Sequence, residues 1–161
     1  MVNFDIRLPP GTKIVRFSAA HVLVMDFDPW QKSVNEAWAD FFKWAKMAEG
    51  VGPSYTVLDD SRPVMCFGVI RLWPGVVEAW MLCDEGVDQR KISLARGAKL
   101  FFDDIGIKLQ LKRCQMTVDC RNVPAQKFAK WLKFKEEGVL KSYAPDGADF
   151  LMMSRIYNGI S

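Results

Sequence analysis

The sequence predicts a mixed α/β (α+β) fold in one domain: a central, mostly antiparallel sheet with one parallel strand pair and flanking helices. Three observations carry that prediction. Two apolar runs, Val64–Leu72 and Val76–Cys83, flank Trp73-Pro74-Gly75 and read as a hairpin. A helical pattern from Ser93 to about Gln110 then separates Val76–Cys83 from a period-two strand at 113–119. Strand, helix and strand in that order imply a parallel pair with a right-handed crossover. Finally, a capped helix and a second hairpin close the chain, which adds antiparallel strands after the parallel pair.

The elements follow in order. Lys13 to Phe27 is mostly apolar with β-branched residues, and part of it reads as a first or edge strand. Asp28-Pro29 opens a helix by the cap-and-proline rule. Trp30, Val34, Ala37, Trp38, Phe41 and Ala45 recur at helical spacing, so one amphipathic helix is expected up to Gly50 and Gly52-Pro53. Tyr55–Leu58 is a short strand and Asp59-Asp60-Ser61 a turn. After the first hairpin, Asp84–Ile92 is polar and irregular. Ser93 can cap the next helix, which buries Leu94, Ala98, Phe101, Ile105 and Leu109, and Gly106 is a place for it to bend or end. The strand at 113–119 sets Cys114, Met116 and Val118 against Gln115, Thr117 and Asp119. Asn122 is a helix N-cap with Pro124 in the first turn. Phe128, Trp131 and Leu132 form the expected buried stripe, with Lys127, Lys130 and Lys133 on the wet face. A strand, the turn Ala144-Pro145-Asp146-Gly147 and a last strand from Phe150 to Tyr157 complete the chain.

Composition sets outer bounds. The 161 residues suit one core, and half of them are hydrophobic against a quarter charged, which excludes a disordered chain. The net charge of +3 makes nucleic acid a weak expectation while leaving room for an anionic ligand. The first residues lack a signal-peptide pattern and no apolar run is long enough to span a bilayer, so a cytoplasmic protein without a membrane partner is expected. Cys66, Cys83, Cys114 and Cys120 form no CxxC pair and there is one histidine, so free thiols and no metal are expected. His21 lies in an apolar run and reads as a satisfied core or interface histidine. Cys83 is a candidate nucleophile without a nearby histidine in the sequence, against the plainer reading of a core thiol.

Asn122, the helix end Trp131-Leu132-Lys133-Phe134, Glu137-Gly138 and the Pro145-Asp146-Gly147 turn before Phe150-Leu151-Met152 together resemble the C-terminal half of the GNAT acyltransferase superfamily. The order of elements from Val64 to Tyr157 extends the likeness over somewhat more than half the chain. The resemblance implies a GNAT-like domain in which Val76–Cys83 splays from strand 113–119 to form a thioester slot. It implies acetyl-CoA as the acyl donor, an amine-bearing acceptor and N-acyl transfer. Arg90-Lys91-Ile92-Ser93-Leu94-Ala95 is the best register for the pyrophosphate loop, with Ser93 where glycine is usual. In that register Arg90, Ser93, Leu94 and Ala95 would hold pyrophosphate at a helix N-terminus. Leu82 and Cys83 would lend backbone to pantetheine, Asn122 would line the slot, and Glu78 would be the candidate general base. The same residues also read more plainly: an ordinary capped helix with a basic entrance, and a Glu78 turned to solvent opposite Val77 and Ala79.

Two departures from the family pattern point elsewhere. The usual glycine at the helix end is Lys133, and the position of the usual tyrosine acid is Ala129. The Trp131-Leu132-Lys133-Phe134 end and the glycine-poor loop are similar to a GNAT-like group of short-tailed bacteriophage internal virion proteins. That likeness implies a catalytically inactive structural or protein-binding role, with virion or host proteins as partners and a place in the virion or host cytoplasm. An exposed aromatic patch from Trp30, Trp38 and Trp44 is the expectation that goes with it.

Overall fold

Asp60 and Ser61 both take positive φ, 45° and 69°, which is the twist that closes a tight hairpin between two right-twisted strands. From that turn the sheet builds outward. The computed structural model describes residues 7–85, 87 and 91–158, with backbone alone at 91–93. Strands β1 (Thr12–Arg16), β2 (Ser54–Asp59), β3 (Arg62–Trp73), β4 (Val76–Cys83), β5 (Arg113–Asp119), β6 (Lys135–Leu140) and β7 (Phe150–Ile156) form one sheet, in the order β1-β2-β3-β4-β5-β7-β6. Every neighbouring pair is antiparallel except β4 and β5. The crossover between them is helix α3 (Lys91–Lys108). The architecture is the single mixed α/β domain that the sequence predicts, with one parallel strand pair in a mostly antiparallel sheet.

Helices lie on both faces, so β3 is buried on both sides from Met65 to Val69. Met65, Phe67 and Val69 join Phe101, Phe102 and Ile105 of α3 and Leu132, Phe134 and Met153 in the larger core. Cys66 and Leu82 face the other way, against Phe17, Val22, Met25, Phe27, Ala45 and Ala48. That second core is covered by a 3-10 turn (Ala19–Leu23) and by helices α1 (Pro29–Glu36) and α2 (Phe41–Ala48). Gly106 does not end α3. It is buried there because a Cβ at this position would stand 2.3 Å from Cε1 of Tyr157, whose hydroxyl donates to the Phe102 carbonyl at 2.9 Å.

Helix α3 begins at Lys91, so Ser93 stands inside its first turn and does not cap it. The structure corrects two further expectations. The single helix from Asp28 is two helices, broken over 37–40. A straight continuation would leave one of the two apolar faces unburied; with the break, Val34 is buried from α1, and Ala45 and Ala48 from α2. Trp38 sits at the bend and packs on Phe41 and Trp44, at 5.9 and 6.0 Å between ring centroids. Second, Trp131 is 51% exposed, not part of the core. Helix α4 (Val123–Trp131) ends there, and Lys133 at φ 71° turns the chain so that Phe134 enters the core in its place. A lysine thus adopts the left-handed conformation that glycine takes without strain.

Candidate functional site

Sheet pairing between β4 and β5 covers only Val76–Glu78 with Arg113–Gln115. Beyond Glu78 the two strands part, each held by its other neighbour: β4 by β3, and β5 by β7. The Asp84 N–H donates to the Val64 carbonyl at 2.9 Å, which fixes the alternation along β4. Even residues turn their peptide groups to β3; Ala79, Met81 and Cys83 turn theirs toward the parting strands. The Ala79 N–H still reaches Cys114 of β5, so the part of the edge that faces the gap between the strands begins beyond it, at Met81.

A cavity of ≈ 140 Å³ occupies this gap. Ala79, Met81, Met116 and Val118 line it from the strands. Helix α4 contributes Ala125, Phe128 and Ala129, with Asn122 at its N-cap, and α1 roofs it with Trp30, Gln31 and Val34. The lining is mostly apolar, which suits an acyl chain or the thioester end of a pantetheine arm. Asp28 caps α1 through the Gln31 N–H at 2.9 Å, and Asn122 caps α4 through the Ala125 N–H at 3.1 Å. Both caps fix helix N-termini beside the cavity.

Arg121 ties the roof to the floor. Its guanidinium donates to Asp119 and Asp146, at 2.6 and 3.0 Å, and lies 5.1 Å from the Trp30 ring centroid. Asp146 also accepts from the Ser33 hydroxyl of α1 at 2.8 Å. Burial pushes the Asp146 carboxyl up, but the bonds from Ser33, the Ala148 N–H and Arg121 outweigh it and hold the group below the usual carboxylate range. Arg121 is raised above its ordinary value, chiefly by the bond to Asp119. The α1 roof is therefore fastened by charge-assisted bonds as well as by apolar packing.

The candidate residues fall in different places. Glu78 is half-buried at the point where the strands part, on the face opposite Val77 and Ala79, and accepts from Gln115 Nε2 at 3.3 Å. It lies at the closed end of the gap and does not line the cavity itself. Asn122 does line it. Cys83 keeps its peptide on the open edge, whereas the Leu82 peptide faces β3 and its side chain is in the second core. Leu94 is the fourth residue of α3, with its side chain buried in the larger core; Ala95, the fifth, is half-buried and its N–H belongs to the helical ladder. Arg90 and the Ser93 side chain lie outside the described residues.

Three further findings bear on the chemistry. The chain entering α1 crosses the end of β4: Phe27 bridges Asp84, and the Glu85 N–H donates to the Asp26 carbonyl at 2.8 Å. Asp84 is buried and accepts from the Asp26 N–H and from Arg62, at 2.9 and 3.0 Å. The open edge thus ends at Cys83. Second, Ala129 is buried against the cavity, and no tyrosine lines it among the described residues. Tyr143 is 49% exposed on the hairpin, and Tyr157 is half-buried elsewhere with its phenol pushed up by desolvation. Third, burial raises the Cys66 thiol to about 11 and the Cys114 thiol to about 12, so both stay protonated at neutral pH. Among the described residues no cluster of three or more His, Cys, Asp or Glu could hold a metal ion, and no helix is long and apolar enough to cross a membrane.

Trp30 is 39% exposed under Arg121, while Trp38 and Trp44 are half-buried in an aromatic stack with Phe41 and Trp80. The aromatic patch expected from these three tryptophans is therefore corrected to one partly covered ring. Sequence reasoning missed the α1 roof, Ala79 and Met81, and the Arg121 tether. Asp28-Pro29 carried a signal, but only for a helix start. Nothing in the order of residues places that helix over the gap.

No protein-family profile and no curated protein matches the sequence. Solved structures do match in fold. The chain is similar to a ribosomal-protein-S5-alanine acetyltransferase from Vibrio fischeri, at 13% identity and TM-score 0.64, over 93% of this chain and 95% of that one. It is similar to a ribosomal L7/L12 alpha-N-protein acetyltransferase in complex with coenzyme A, at 15% identity and TM-score 0.65, over 94% and 97%. A GNAT-family acetyltransferase from Bacillus anthracis aligns at 13% identity and TM-score 0.68, over 91% and 95%. At such identities the likeness establishes the GNAT fold.

Proposed function

We propose that the protein transfers an acyl group, in the simplest case acetyl, from a coenzyme A thioester to an amine. The observation that carries this reading is the parting of β4 from β5 after Glu78, which leaves an apolar cavity between the two strands. A thioester arm entering beyond Ala79 would run along the Met81 peptide toward Cys83, as an added strand does. Asn122 would line the slot, and the N-terminus of α3, with Arg90 and Ser93 at its entrance and Leu94 and Ala95 behind them, would meet the diphosphate. The amine nitrogen would bond to the acyl carbon as the carbon–sulfur bond breaks. The sulfur would leave as thiolate, and the amine proton would pass through a bridging water to Glu78 at the closed end of the gap. A positioned acid typically contributes about 10²–10⁴-fold, so Ala129 in place of a proton donor would make a slow enzyme. A leaving thiol with a pKa near 8.5 needs less help from an acid than an alkoxide does. That the solved neighbours include acetyltransferases of ribosomal proteins supports an amine acceptor, either a small molecule or a protein.

A second reading rests on Ala129 and on the Phe27–Asp84 bridge, which shortens the open edge: a catalytically inactive GNAT-like protein that binds other proteins, such as virion or host proteins. One experiment separates the two. Purified protein is scanned for melting temperature with acetyl-CoA, coenzyme A and ADP, and product amide is followed by mass spectrometry over a panel of amines. The enzyme reading expects stabilisation by acetyl-CoA and amide formation. No shift with acetyl-CoA at millimolar concentration removes that reading.

A further inference from the structure

We infer that the end of the sheet opposite the cavity is a docking surface for an acidic, amphipathic segment of a partner protein. Two adjoining grooves meet there, sharing Gln110, Leu111 and Lys112. One runs beneath the β3–β4 hairpin tip against the end of α3; the other runs between the end of α3 and the ends of β6 and β7. The hairpin tip and β7 leave large apolar groups in solvent: Trp73 is 63% exposed and Ile156 61%. Ile107, from the last turn of α3, is 67% exposed between them.

Charge selects the partner. Among the described residues no aspartate or glutamate lines either groove. Arg71, Lys112, Lys133 and Lys135 are exposed there, and none of the four makes an ion pair with a described carboxylate. The other cations at this end are already satisfied: Lys108 by Asp104 at 2.9 Å, Arg113 by Glu137 and Arg155 by Asp103. The whole chain carries only +3, so four unneutralised cations in one place are a local concentration and not an average property. Cations around exposed apolar groups match a segment with carboxylates beside leucine-like side chains. Single-stranded nucleic acid fits less well. Trp73 is a single stacking platform, while Ile107 and Ile156 are aliphatic and gain only from burial against other apolar groups. This surface is independent of the acyl-transfer reading, because none of its residues lies at the cavity.

The test uses the full chain and a labelled peptide with glutamate and leucine at helical spacing, read by fluorescence anisotropy. A lysine–leucine peptide of the same pattern and an oligo(dT) are the comparison probes. The glutamate–leucine peptide should bind and weaken as salt is raised. Trp73→Ser, and separately Lys112→Glu with Lys135→Glu, should each weaken it by roughly ten-fold or more while leaving the melting temperature within a few degrees. Equal binding of the two peptides, no binding of the glutamate–leucine peptide, or variants that bind it as the parent does would overturn the proposal. Binding of oligo(dT) in place of the acidic peptide would also overturn it and assign the surface to nucleic acid.

Discussion

Replacing Ala129 by leucine should make the protein more stable and abolish its use of the cavity. Ala129 is 2% exposed on α4 and lines the ≈ 140 Å³ void. Leucine adds three carbons, worth roughly 2 kcal/mol of transfer free energy at ~0.8 kcal/mol each, and loses ~0.5–1 kcal/mol of rotamer freedom. Alanine and leucine are close in helix propensity, so α4 itself is little affected. The net gain is about 1–1.5 kcal/mol, or roughly 2–6 °C in melting temperature for a chain of this size. Scanning calorimetry with and without acetyl-CoA reads both effects at once. The parent protein should gain stability from the ligand according to RT ln(1 + [L]/Kd), and the leucine variant should start higher and gain little. A variant less stable than the parent would mean that the walls are already in contact. A stabilised variant that keeps the full ligand shift would mean that the acyl end lies elsewhere.

Four other outcomes follow from the geometry. Glu78→Gln should cut amide formation by about 10²–10⁴-fold while the acetyl-CoA shift in melting temperature persists; equal rates would remove Glu78 as the base. His21 is lowered from 6.5, mainly by burial with Glu49 opposing, and its Nδ1 accepts from the Ser18 N–H at 3.2 Å with the Thr56 hydroxyl at 2.8 Å. Its neutral form is the one that folding favours, so its contribution is complete above pH 6.5 and is lost as pH falls below that; urea midpoints from pH 8 to 5 should fall less in His21→Gln than in the parent. Gly106→Ala gains helix propensity of about 1 kcal/mol but drives a Cβ into the Tyr157 ring, so a net loss of roughly 1–2 kcal/mol is expected, and adding Tyr157→Ala should relieve the clash in a double-mutant cycle. Lys133→Gly should raise stability by about 1 kcal/mol, because Lys133 holds φ 71°; an unchanged melting temperature would show that the lysine is not strained.

Local signals in the sequence were enough for most elements and for their pairing. The β3–β4 hairpin, the α3 crossover and the Asn122 cap each have a short-range cause that is visible as spacing or residue type. The misreadings share one physical origin. Trp38 continues the helical period of Trp30 and Val34, yet the chain breaks there because α2 gains more by turning onto Cys66 and Leu82 than by continuing α1. Trp131 continues the period of Phe128, yet a left-handed Lys133 substitutes Phe134 in the core. Periodicity records which residues can be buried, and long-range packing chooses among them.

The same distinction separates the slot from its chemistry. That β4 and β5 are parallel neighbours follows from chain order, because a crossover helix leaves no short antiparallel alternative. How far they stay paired does not follow from order. It depends on β7 holding β5 over all seven of its residues while β3 holds β4, so that the sheet twist is taken up at the parallel seam, which is paired over three residues. Arg121 then keeps α1 across that seam through Asp119, Asp146 and Trp30. Arg121→Ala should therefore leave buried Asp119 without its cation, costing roughly 2–3 kcal/mol, below the full buried-pair range because Arg121 is 37% exposed. The loss should also loosen α1, so hydrogen exchange at Gln31 to Val34 should accelerate more than at Ala45 to Ala48. Equal acceleration of both helices would mean that the roof is held by the core beneath it, and that the acyl slot has no separate fastening.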